Sequence, residues 1–179
     1  MQRNEKVILI RDVPAAIFEV LDGVMTTQGL LRQITREIEE DFTPYLNDPE
    51  GLLVFVASQP KDDWTAIFSS LTLDDEWMLV EALAVSLEQP TTYALLYDDV
   101  ARYGYRYFAD GVLQEEFLPS TDDDQQLDAE ALFSRLTTHG IPLELIDDRA
   151  LSFGEQHILV AYGAVRAEST NMHDHQPTA

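Results

Sequence analysis

Apolar residues recur along the chain at two spacings, every second residue and every third or fourth, and these divide it into elements. EKVILI (5–10) carries a short continuous apolar run, which predicts a buried strand. In DVPAAIFEVLDG (12–23), Asp12 can cap a helix, Pro14 suits its first turn and Gly23 can end it. A second helix is predicted over GLLRQITREIEEDF (29–42). There Leu30 or Leu31, Ile34, Ile38 and Phe42 share one face, and Arg32, Arg36, Glu39 and Glu40 take the other. Pro44 and Pro49 bracket a loop. GLLVFVAS (51–58) and DWTAIFSS (63–70) read as strands joined by the turn-rich QPKDD.

The strongest helical pattern runs from about 72 to 88. Thr72 is the cap, with Asp75 three residues on, and Leu73, Trp77, Val80, Ala84 and Leu87 form a stripe that Leu79 and Leu83 widen. Glu76, Glu81 and Glu88 read as its wet positions. A strand at 92–97 follows, then a hairpin around Asp110-Gly111, a pair suited to a type I′ turn. In that register Arg106 faces Glu115 and Tyr105 faces Glu116, with Phe108, Leu113 and Phe117 on one face and Tyr103, Tyr105 and Tyr107 on the other. A helix from Asp128 to His139 and two strands, IPLELIDD (141–148) and HILVAYGAV (157–165), complete the pattern. The fold class is α+β. The expected sheet is mostly antiparallel, with about five to seven strands, a buried central helix at about 72–88 and further helices packed on it. Residues 1–166 form one domain, and 167–179 lack apolar periodicity and read as a disordered tail.

Charge changes this picture more than bulk composition does. The 179 residues carry a net charge of -22, and 25 of the 33 acidic side chains lie in 39–148, beside only four bases. Such a segment repels nucleic acid and anionic membranes and attracts a basic protein. The chain has no cysteine, which excludes disulfides and thiolate chemistry and suits a reducing compartment. The N-terminus has only a four-residue apolar run, short of the roughly 7–15 residues of a signal peptide core, and the longest later run, Leu52 to Ala57, is far short of a membrane span, so the reading is a soluble, cytoplasmic protein.

Candidate chemistry is sparse. The chain contains no phosphate-binding glycine loop, nucleophile elbow or zinc-protease motif. Asp122, Asp124, Gln126 and Asp128 alternate, but Leu127 and Phe133 stand where a calcium loop needs Gly and Glu. The histidines are His139, His157, His173 and His175, with no cluster outside the tail. No metal, cofactor or catalytic residue is assigned. The candidate interface is instead the tyrosine-rich segment: Tyr93, Tyr97, Tyr103, Tyr105 and Tyr107, with Asp98, Asp99 and Glu116. The competing reading makes those tyrosines sheet core. The expected function is a non-catalytic acidic binding protein, of inhibitor or immunity type, engaging a basic protein. Two alternatives stand beside it: an enzyme or small-ligand binder with an unfamiliar site, and a homodimeric adaptor.

Overall fold

The computed structural model describes residues 4–97, 102–117, 128–146 and 155–165. Eight strands form one sheet: β1 (Asn4–Ile10), β2 (Leu30–Ile38), β3 (Leu53–Ala57), β4 (Thr65–Ser69), β5 (Thr91–Tyr97), β6 (Arg102–Ala109), β7 (Val112–Phe117) and β8 (His157–Ala164). Their order is β2-β8-β3-β4-β1-β5-β6-β7, and every neighbouring pair is antiparallel. The sheet is thus larger than the five to seven strands expected, within the expected α+β class. β1 is central because its run Val7–Ile10 is apolar on both sides, and these four residues are at most 1% exposed.

Helices cover both faces. On one, α1 (Pro14–Thr27) and α3 (Leu73–Leu87) pack over Ile8, Ile10, Phe55, Tyr93 and Phe108. On the other, α4 (Ala129–Thr138) and a 3₁₀ turn (Leu143–Leu145) cover Val7, Leu9, Trp64, Tyr103 and Tyr105. The short α2 (Thr43–Asn47) lies where a loop was expected and brings Tyr45 and Leu46 over Val54, Val56 and Leu159. The helices therefore do not all gather on α3: α1 does, whereas α4 sits across the sheet from it. Among the described residues no helix is long and apolar enough to cross a membrane.

Several local predictions are corrected. Residues 30–38 are a strand, not a helix. A bulge between Arg32 and Ile34 inserts one residue into the ladder with β8. It places Leu31, Ile34, Arg36 and Ile38 on one sheet face, so a strand acquires the three-then-four apolar spacing of a helix. α1 runs through Gly23 and stops before Gly29, whose φ of +76° is the left-handed conformation that ends helices. Its cap position is Val13 rather than Asp12. The expected strand at 141–148 is a 3₁₀ turn over its described part, because Pro142 lacks the N–H a ladder needs. The predicted tail lies outside the described residues.

The hairpin turn forms as read, with φ +52° at Asp110 and +72° at Gly111. Ala109 faces Val112 and Phe108 faces Leu113 as expected. A bulge between Tyr107 and Phe108 then shifts the register by one residue, so Arg106 faces Glu116 and Tyr105 faces Phe117. The turn also closes tightly on the end of α3. A side chain added at Gly111 would bring its Cβ to 3.3 Å from Val85 Cα. Gly111→Val therefore combines backbone strain with crowding, and a stability loss of about 1–3 kcal/mol is expected in urea unfolding. A change below about 0.3 kcal/mol would show that the turn relaxes freely.

Candidate functional site

The tyrosines of the candidate interface divide between the two sheet faces. Tyr93 is on the α3 side, completely buried, with its ring edge-on to Trp77 at 5.8 Å between centroids. Tyr103, Tyr105 and Tyr107 share the opposite face, as their alternation predicted. Tyr103 and Tyr105 are buried there and Tyr107 is half-buried. Their ring surface is occupied within the chain by Phe117, α4 and the 3₁₀ turn. Glu116 is exposed on the α3 side of β7. The backbone of Tyr97 is described in β5, but its side chain, and all of Asp98 and Asp99, lie outside the described residues.

The hairpin bulge decides which carboxylate meets the tyrosines. It turns Glu115, not Glu116, onto their face. Glu115 accepts a short hydrogen bond from the Tyr105 hydroxyl, and its Oε2 stands 3.4 Å from His139 Nε2 and 3.6 Å from Arg135 Nη1. The His139 ring stacks on Tyr107 at 3.7 Å, and Arg135 lies over Phe117 at 4.8 Å. The Tyr105 hydrogen bond, with His139 and Arg135 nearby, holds the Glu115 carboxyl below its ordinary range. Desolvation and the adjacent carboxylate push the Tyr105 hydroxyl up to about 12. These groups fasten α4 to the β6–β7 hairpin. Sequence reasoning placed Tyr105 and Tyr107 in one candidate surface but left out Glu115, Arg135 and His139, because the bulge that aligns Glu115 with the tyrosines has no local signature.

A second polar cluster lies inside the molecule, under α3. Glu76 is completely buried. Its Oε1 accepts from Ser69 Oγ at 2.5 Å, and its Oε2 accepts from the Tyr93 hydroxyl at 2.9 Å. Lys6 Nζ stands 2.9 Å from the same Oε2 and 3.3 Å from the Ser69 carbonyl. Burial raises the Glu76 carboxyl above its usual value, while Lys6, Ser69 and Tyr93 oppose that rise without cancelling it. Beside it, the Arg106 guanidinium lies over Trp77 at 4.0 Å. Arg106 Nε is 2.8 Å from Glu116 Oε2, an ion pair by distance, although neither Nε nor Nη1 makes a well-directed hydrogen bond. The expectation that Glu76 is solvated is thus wrong. A signal for its burial was present, since Glu76 shares a four-then-three spacing with Val80 and Leu83.

No protein-family model, curated protein or solved structure matches this chain. Its function must therefore be argued from its own side chains. Among the described residues, no group of three or more His, Asp or Glu side chains is placed to hold a metal ion.

His157, at the start of β8, is buried beside Phe42, and neither ring nitrogen makes a hydrogen bond among the described residues. Desolvation lowers its pKa, and the nearby Glu155 backbone opposes the shift without reaching hydrogen-bond geometry. A base whose pKa falls on folding binds its proton more readily in the unfolded chain. Stability is then lost as pH falls through the unfolded value of about 6.5. A loss of stability from this group is expected as pH falls from about 7.5 to 5.5. Urea unfolding across that range checks it, and His157→Phe is expected to flatten this part of the profile. Identical slopes for the two proteins would show that His157 folds without a proton penalty.

Proposed function

We propose that the chain is a non-catalytic acidic binding protein that engages a basic protein surface, an inhibitor or immunity-type protein being the concrete form. One observation carries this reading: the exposed surface of the described residues holds far more acids than bases. Lys6, Arg32 and Arg106 lie against Glu76, Asp22 and Glu116, and Arg135 lies beside Glu115. Among the described residues four bases are exposed, Arg11, Arg36, Lys61 and Arg135, against nineteen exposed acids. A surface of one sign steers an oppositely charged partner and rejects nucleic acid. The burial of Tyr93, Tyr103 and Tyr105 moves the weight of this reading from the tyrosines to the acidic surface. The absence of cysteine suits work in the cytoplasm.

The test is capture from a lysate of the native host at about 0.05 M salt, followed by affinity measurement with the purified partner. A basic protein whose affinity falls at least tenfold by about 0.5 M salt is the expected result. A captured partner that is acidic, or whose affinity ignores salt, would contradict the reading.

A further inference from the structure

The outer face of α3 has no partner within the described chain. Met78 is 65% exposed and Val85 is 56% exposed, although both belong to a helix whose inner side is packed. They are seven residues apart, two helical turns or about 10.5 Å along the axis. Glu81 and Glu88 occupy the intervening and following positions of the same strip, and both are exposed. The strip therefore alternates apolar and acidic residues: Met78, Glu81, Val85, Glu88. No Lys, Arg or His occurs anywhere in Leu73–Leu87.

The hairpin extends this face. Its turn abuts Val85, and Leu113, 38% exposed, faces Phe108 on the side of the sheet that carries α3. Asp110 stands exposed at the tip. Two apolar anchors and a flanking leucine are thus rimmed by carboxylates along the length of a helix.

We infer that this face, with Met78 and Val85 as anchors and Glu81 and Glu88 as the charged rim, is where the basic partner docks. The occupant it fits is an amphipathic helical segment of that partner, with apolar residues along one side and Lys or Arg beside them. The apolar strip provides affinity and the acids select a basic flank. A second copy of this chain fits poorly. A two-fold interface brings the same patch onto itself, setting Glu81 and Glu88 against the acids of the facing copy. The inference rests on the acidic-binder reading and adds to it the surface and the form of the partner.

The test uses a synthetic peptide of about 18 residues, long enough to hold a helix, with Leu along one face and Lys elsewhere. A scrambled peptide of the same composition is the control. Calorimetric titration at about 0.05 M salt is expected to show the patterned peptide binding at least tenfold tighter than the scrambled one. The Met78→Asp/Val85→Asp double variant is expected to lose at least tenfold in that affinity. Ile34→Asp, at a position 40% exposed on β2, is expected to lose less than twofold. Thermal melting shows whether the double variant folds. If it does not, Glu81→Lys/Glu88→Lys replaces it, with the same tenfold loss expected.

Salt-dependent peptide binding that is indifferent to the α3 variants would overturn the docking face and leave the acidic-binder reading standing. Failure of both peptides to bind would overturn both. A dimer in sedimentation that Val85→Asp dissociates would overturn the inference by showing that a second copy covers the face.

Discussion

Glu76→Ala is expected to lower the free energy of unfolding by about 3–5 kcal/mol, because it removes the shared acceptor and the counter-charge of a buried polar cluster. Glu76 is the shared acceptor for Ser69 Oγ, the Tyr93 hydroxyl and Lys6 Nζ, and it is completely shielded from water. Removing it strands the Lys6 ammonium, which is only 21% exposed, and opens space beneath α3. A Lys6→Met/Glu76→Leu double variant removes the charges together and is expected to lose less than Glu76→Ala alone, since a buried ion pair exchanges well for apolar packing. Urea unfolding of the three proteins checks both statements. A loss below about 1 kcal/mol for Glu76→Ala would show that water or a shift of α3 replaces the carboxylate. Because folding raises the Glu76 pKa, its own protonation favours the fold at low pH, and that contribution fades as pH rises through the raised value.

Tyr105→Ala is expected to cost about 3–5 kcal/mol, the range for a large aromatic removed from a core. The ring is 1% exposed and stacks on Phe117 at 5.4 Å, and its hydroxyl bonds Glu115 at the α4 contact. Glu115 is partly exposed and can turn to water, so most of the loss comes from packing. Tyr105→Phe keeps the ring and is expected to cost about 1 kcal/mol, the worth of one hydrogen bond. Chemical unfolding separates the two. If Tyr105→Ala were as stable as the wild type while partner binding weakened, the ring would be acting at an interface rather than in the core.

These two residues show what the chain made readable and what it hid. The I′ turn was readable because Asp110-Gly111 is a local code for two positive φ values. α3 was readable because its cap, Thr72, immediately precedes a stripe that lies within fifteen residues. The alternation of Tyr103, Tyr105 and Tyr107 also read correctly as one face, but the α4 and 3₁₀ cover over it comes from residues 128–146, far along the chain. Two bulges defeated periodicity in different ways. In β2 an extra residue imitated helical spacing, and in the hairpin it exchanged Glu115 for Glu116 beside Tyr105. Glu76 was misread because its partner Lys6 is seventy positions away, and a lone glutamate on a helix is ordinarily wet. The acidity itself was plain from composition. That Lys6, Arg32 and Arg106 are taken up in ion pairs, while four exposed bases stand among nineteen exposed acids in the described residues, needed the fold.

The most direct measurement of the account is stopped-flow association between the wild-type protein and its purified basic partner across a range of ionic strength. Electrostatic steering predicts an association rate that falls at least tenfold between about 0.05 and 0.5 M salt, with a dissociation rate that changes much less. An association rate independent of salt would contradict the claim that the outward-facing acids recruit the partner.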